Sequence, residues 1–188
     1  MQTQYAAHIR RAATPASRTI PAKGASHSVS VFLGTHQNRL DAKGRVSIPA
    51  AFRTALRAQA PAGESLVVLR PSHLHPCIEA WPTAAFASLS QPLDRLDIFS
   101  DDHDDLAAAL YADAYPMDAD REGRIILPDP LKEHAGLTET VAFMGLGKIF
   151  QIWEPAAAER RRAEARTRSR QVAVPGSRPA APRPEGTA

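Results

Sequence analysis

The sequence predicts a mainly β chain with short helices, an α+β fold assembled from two copies of one supersecondary unit. Three observations predict it. A ten-residue motif occurs twice, with its copies 79 residues apart. Each copy runs into short apolar alternations of the kind that half-buried strands require. The chain holds 16 prolines in 188 residues and only 6% aromatics, which suits small, turn-rich units.

The repeat sets the order of elements. Leu40-Asp41-Ala42-Lys43-Gly44-Arg45-Val46-Ser47-Ile48-Pro49 returns as Ala119-Asp120-Arg121-Glu122-Gly123-Arg124-Ile125-Ile126-Leu127-Pro128. Both copies read Asp-x-x-Gly-Arg, then aliphatic, x, aliphatic, Pro. An aspartate opening a four-residue segment accepts hydrogen bonds from backbone N–H groups ahead of it, and a glycine closing it tolerates positive φ. Asp41–Gly44 and Asp120–Gly123 therefore read as tight hairpin turns shaped by Asp41, Gly44, Asp120 and Gly123. Val46 and Ile48 alternate with Arg45 and Ser47 as a strand, and Pro49 suits the first position of a helix. Ala50 to Ala58 follow as that helix, with Phe52 and Leu56 on one face. Leu66–Leu69 and Cys77–Trp81 read as a strand pair. In the second copy Tyr115–Met117 precede the turn, Arg124–Leu127 follow it, and a short helix runs from Pro130. Strands near Val141–Met144 and Ile149–Trp153 close the unit. Pro82–Ser90 and Asp104–Ala114 read as helical. Two copies are too few for a solenoid.

Several function classes drop out. No stretch reaches the roughly 18 apolar residues of a membrane span, and residues 1–30 lack the apolar run of a secretory signal. The lone Cys77 rules out an internal disulfide and fits a reducing cytoplasm. It reads as a small buried hydrophobe rather than a nucleophile. His73, His75 and Cys77 would share a strand face, but Pro76 interrupts it and no fourth ligand is near. Asp101, Asp102, Asp104 and Asp105 around His103 read as an acidic helix start. No metal, no cofactor and no catalytic set is expected.

Charge is divided along the chain. The formal net charge is +3, yet residues 31–158 hold 11 basic and 17 acidic residues. Residues 1–30 contribute four basic residues and no acid, and 159–188 hold eight arginines against three glutamates. The basic character belongs to the ends, so a nucleic-acid role for the body needs a local patch. One exists. Between Arg39 and Arg57 stand Arg39, Lys43, Arg45, Arg53 and Arg57 against Asp41 alone.

The paired hairpins, each followed by proline and a short helix, resemble the AbrB/SpoVT superfamily. Together with His134-Ala135-Gly136-Leu137-Thr138 and Phe150-Gln151-Ile152-Trp153-Glu154, they resemble the MraZ family in particular, over residues 31–166. The resemblance implies a double swapped-hairpin β-barrel, formed as a pseudo-dimer from the two halves of one chain. It implies residues 34–82 and 112–155 as the two units and 83–111 as a helical connector. Residues 1–30 are then a flexible basic extension (or the product of an upstream start codon), and 156–188 a helix end with a disordered Arg/Pro-rich tail. It further implies a non-enzymatic, sequence-specific regulator in the cytoplasm and nucleoid. Such a regulator binds short direct repeats in promoter DNA as a ring-like homo-oligomer and represses the division and cell-wall gene cluster, its own gene included.

Guanidinium groups neutralise phosphate and read guanine edges bidentately. On this reading Arg45 contacts base or phosphate, Lys43 phosphate, and Arg53 phosphate from the helix, with Arg39 nearby. In the second copy Arg121 and Arg124 face more carboxylates, and Glu122 stands where Lys43 does, so a weaker DNA role is expected there. A plainer reading stays open, in which Asp41 pairs with Arg45 across its own turn and both are architectural. Other functions are an antitoxin-like interaction module, or non-specific nucleic-acid binding through the arginine-rich ends.

Overall fold

The computed structural model describes residues 31–60, 65–170 and 172. The basic extension expected over 1–30 and the Arg/Pro-rich tail past residue 172 lie outside the described residues. In chain order the elements are β1 (Thr35–Arg39), β2 (Arg45–Ser47), α1 (Ala50–Gln59), β3 (Val67–Pro71), β4 (Ile78–Pro82) and α2 (Thr83–Phe86). After two 3-10 turns come α3 (Asp101–Tyr111), β5 (Tyr115–Met117), β6 (Arg124–Ile126), α4 (Asp129–His134), β7 (Thr140–Gly145), β8 (Phe150–Trp153) and α5 (Pro155–Ser169).

The fold is mixed, with a mainly antiparallel β core and short helices. Six strands form one sheet in the order β1-β7-β8-β4-β3-β5, and β2 pairs with β6 in a separate ribbon. Each half lends strands to the other. β1 pairs along β7 from Thr35↔Met144 to Arg39↔Thr140, and β5 pairs along β3 from Val67↔Met117 to Leu69↔Tyr115. The halves join at the centre, where Ile78 faces Ile152 and Ala80 faces Phe150. The ladder is open, not the closed barrel that the resemblance implies. Its edges are β1 and β5, and among the described residues one β-bridge, Leu40↔Val46, leads from the end of β1 into the ribbon. The three-residue strands β2 and β6 are committed to each other, which leaves the sheet edges unjoined.

Alternation along the strands builds two cores. Val67, Leu69, Ile78, Ala80, Val141, Phe143, Phe150 and Ile152 share the inner face with Val46, Ile125, Phe52, Leu56 and Leu131 from the ribbon and helices. Phe32, Phe52 and Phe150 meet with ring centroids 5.1–5.3 Å apart, the edge-on and tilted geometry that aromatic quadrupoles favour. On the outer face Ala142, Met144, Trp153 and Cys77 receive Ala158 of α5. Cys77 is buried, and that burial pushes its thiol up to about 12.

Helix ends follow from local chemistry. Pro49 and Pro128 stand just outside α1 and α4 as N-caps, with ψ of 138° and 140°, rather than at the first helical position. Pro155 takes that first-turn role in α5, where Glu154 accepts from the N–H groups of Ala156 (2.9 Å) and Ala157 (2.7 Å). The segment read as a helix end is thus a full helix of 15 residues. In α3 the Ser100 hydroxyl accepts from His103 N–H at 3.2 Å, and Asp101, Asp102 and Asp104 lie in the first turn. Among the described residues no three His, Cys, Asp or Glu side chains gather to hold a metal.

Candidate nucleic-acid interface

The two turns repeat one hydrogen-bond pattern. Asp41 Oδ1 accepts from the backbone N–H of Lys43 and of Arg45, each at 2.9 Å, while Oδ2 holds Arg45 Nε at 2.7 Å. Gly44 donates to the Asp41 carbonyl at 2.9 Å with φ of +73°. In the second turn Asp120 Oδ1 accepts from Glu122 at 3.0 Å and Arg124 at 2.8 Å, and Oδ2 holds Arg124 Nε at 2.8 Å. Gly123 closes it at φ +79°. An aspartate is needed because one oxygen must satisfy two forward N–H groups while the other reaches the guanidinium. The backbone N–H of Arg45, then its guanidinium, hold the Asp41 carboxyl below its ordinary value of 3.8. Asp120 is lowered in the same way, first by the Arg124 N–H.

The ribbon sets both arginines on one face. Val46↔Ile125 is its buried central pair, flanked by Arg45↔Ile126 and Ser47↔Arg124. Period-two alternation turns Arg45, Ser47, Arg124 and Ile126 away from the core. Arg45 and Arg124 line one shallow cleft with Asp120 and Ile126, and their side chains are equally half-exposed at 35%. The equivalence ends at charge. Arg124 also donates to Glu122 Oε2 at 3.1 Å, and its pKa is raised by Asp120 first, then by Glu122 and by Asp41 of the other turn. Among the described residues Arg45 has Asp41 as its only carboxylate partner.

Lys43 and Arg121 are exposed at the two turn tips, and Arg39 is exposed at the end of edge strand β1. Arg53, on α1, reaches toward the second turn. It is half-buried, and its Nη1 donates to the carbonyls of Ile48 (3.4 Å) and Glu122 (3.2 Å), so it crosses to the second turn. Lys132, its counterpart in the repeat, lies over Gly44 in the first turn and pairs with Asp129 at 2.7 Å. The exchange extends to the backbone, where Ile48 N–H donates to Gly123 O at 3.0 Å and Leu127 N–H to Gly44 O at 2.8 Å. Asn38 adds a tie from β1, donating to Ser47 O at 2.5 Å. Sequence reasoning missed these cross-links. The available signal was a basic residue at the same repeat position, Arg53 and Lys132, although the surrounding charges differ.

Comparison with known proteins gives a consistent result. The family model described as "MraZ protein, putative antitoxin-like" matches residues 31–108 and 110–173. A protein of Gluconacetobacter diazotrophicus named transcriptional regulator MraZ is 86% identical over 147 residues, covering 78% of this chain and 93% of the relative. Relatives with the same name occur in Gluconobacter oxydans, 64% identical over 85% of this chain and 99% of the relative, and in Azorhizobium caulinodans, 42% identical over 75% and 88%.

Proposed function

This chain belongs to the MraZ family, and from that premise we propose that it is a transcription regulator that binds promoter DNA in a sequence-specific manner through the β2/β6 ribbon. The observation that carries the proposal is the pair Arg45 and Arg124, each held at Nε by its own aspartate on one outward face. A two-stranded ribbon fits the major groove, and Arg45, held at Nε, keeps its terminal nitrogens for guanine or phosphate, whereas Arg124 has one of them on Glu122. Pairing with Asp41 is therefore compatible with DNA contact, because it orients Arg45 without occupying those nitrogens.

In this reading Arg45 contacts base edges, Lys43 and Arg39 neutralise phosphates, and Arg121 and Arg124 make the weaker contacts of the second turn. Asp41, Gly44, Asp120 and Gly123 shape the turns, and Arg53 supports the second one. The operator consists of short direct repeats, read by a ring-like homo-oligomer of pseudo-dimeric, swapped-hairpin subunits. The outcome is repression of the division and cell-wall gene cluster together with the regulator's own gene, in the cytoplasm at the nucleoid.

Fluorescence anisotropy tests this on the upstream DNA of the chain's own gene and on a scrambled duplex, across a salt series. Preference for the native duplex, lost in Arg45→Ala and less affected in Arg124→Ala, is expected. Equal binding to both duplexes, steep in salt and indifferent to Arg45, would overturn it and assign the attraction to the arginine-rich ends.

A further inference from the structure

The outward face of the β2/β6 ribbon carries Arg45, Ser47, Arg124 and Ile126. Three of these side chains are polar. The fourth, Ile126, is 58% exposed, although its strand neighbour Ile125 is 1% exposed. Ile126 takes no part in the core, to which the ribbon gives Val46 and Ile125. Its setting distinguishes it from a stray surface aliphatic. It stands directly opposite Arg45 in the ladder and shares one cleft with Arg45, Arg124 and Met117. An isoleucine between two guanidinium groups brings neither charge nor hydrogen bond to a phosphate. In a major groove it can meet the C5-methyl of thymine, the apolar group that base-pair edges present there.

The repeats differ at this position. Arg45-Val46-Ser47 of the first corresponds to Arg124-Ile125-Ile126 of the second. Antiparallel pairing crosses them, so Arg45 faces Ile126 and Arg124 faces Ser47. One end of the ribbon thus joins an arginine to an aliphatic side chain, and the other joins an arginine to a hydroxyl. The aliphatic end is also the one whose guanidinium, among the described residues, pairs with Asp41 alone, whereas Arg124 is shared between Asp120 and Glu122. Opposed side chains of an antiparallel pair stand about 5 Å apart at Cβ. Bases along a strand rise by about 3.4 Å, so the two side chains reach the same or adjoining base pairs.

We propose that Ile126 is a specificity-determining residue of the ribbon, reading the methyl group of a thymine beside the base that Arg45 contacts. The inference rests on the reading of the ribbon as the DNA-binding element. It gives the second repeat, the electrostatically weaker one, a part in recognition through packing rather than attraction.

Deoxyuridine is thymidine without that methyl and keeps its base pairing, so it removes the contact from the DNA side. The upstream duplex of the chain's own gene, its thymines replaced singly by deoxyuridine, is titrated by fluorescence anisotropy. The full chain is compared with Ile126→Ser, which carries the side chain of the first repeat. The position is exposed, so circular dichroism is expected to match the parent. At one thymine or more the parent is expected to lose roughly fourfold in affinity, the worth of one buried methyl group. Ile126→Ser is expected to bind the natural duplex more weakly by at least that factor, and to lose nothing further at those thymines. Its salt slope is expected to match the parent's, because no phosphate contact changes. The inference is overturned if every replacement costs parent and variant alike, or if Ile126→Ser weakens native and scrambled duplexes equally. Arg45→Ala, run alongside, separates the two failures. Native preference erased by Arg45→Ala with a silent deoxyuridine series would leave a ribbon that reads DNA without Ile126. A parent with no native preference would overturn the regulator reading, and this inference with it.

Discussion

Arg53, on the helix of the first repeat, lies against Gly123, the turn glycine of the second, and donates to the Glu122 carbonyl at 3.2 Å. A Cβ at Gly123 would run into the Arg53 side chain, whereas one at Gly44 would meet Lys132 Nζ at 3.3 Å. Both glycines also hold positive φ, which costs an L-residue about 1–3 kcal/mol. Gly123→Ala is therefore expected to destabilise the chain more than Gly44→Ala. The excess is expected to vanish when Arg53→Ala is combined with it, because that removes the obstructing side chain. Urea unfolding of the four-member cycle measures this. An excess that survives Arg53→Ala would show that the turn itself, not the crossing arginine, makes the difference.

Glu122 occupies the place that Lys43 holds in the first turn, and it draws Arg124 to a second carboxylate at 3.1 Å. Glu122→Lys removes that partner, leaves the Asp120 bond in place, and exchanges a repulsive charge for an attractive one. DNA affinity at moderate salt is expected to rise severalfold, with a salt slope steeper by about 0.9 for one added phosphate contact. Anisotropy titrations at several salt concentrations read both quantities. An unchanged slope would mean that the second turn stays off the DNA.

Much of this was legible locally. The spacing Asp-x-x-Gly-Arg specified both turns, because the aspartate bonds and the glycine φ are decided within five residues. The helices and most strands followed from alternation and proline. What could not be read was partner choice. A strand such as Arg45–Ser47 carries no local sign that it will pair with Arg124–Ile126, 79 residues away, rather than with its own hairpin. Thr35–Arg39 carries polar residues with little apolar alternation, and its strand is held by register with β7. The bond from Arg53 to the Glu122 carbonyl is likewise hidden from the sequence, since it depends on the exchange of turns between the halves.

Asp41 and Asp120 make the turns sensitive to acid. Each carboxyl is held below its ordinary value of 3.8, first by the N–H of the arginine four residues on. The folded chain then binds fewer protons than the unfolded one between the lowered value and 3.8. The contribution is whole above that range and is lost as pH falls through the lowered pKa. Both groups are solvent-facing, so the effect is modest. The parent's urea midpoint is expected to drop toward that of Asp41→Asn/Asp120→Asn as pH falls below about 4, since asparagine keeps the turn acceptor but not the charge. A gap that stays constant from pH 7 to 3 would contradict the assignment.

The outer face of the sheet holds a second polar relationship with a larger consequence. Arg70 and Glu79 face each other across β3 and β4, 3.9 Å apart and nearly excluded from water. Among the described residues Arg70 Nε has no hydrogen-bond partner, and its Nη2 reaches the Ala109 carbonyl of α3 at 3.4 Å. Glu79 also accepts from the Trp81 indole at 3.2 Å. Removing the acid alone leaves a buried guanidinium without compensation, so Glu79→Ala is expected to cost about 3–5 kcal/mol. Replacing both partners by Arg70→Met/Glu79→Leu removes the charges together, and most of that loss is expected to return because the pair gains little over an apolar contact of similar size. Thermal and urea unfolding of the three variants would decide it. If the double variant is as unstable as Glu79→Ala, the pair stabilises the sheet through its bonds to α3 and Trp81 rather than merely cancelling buried charge.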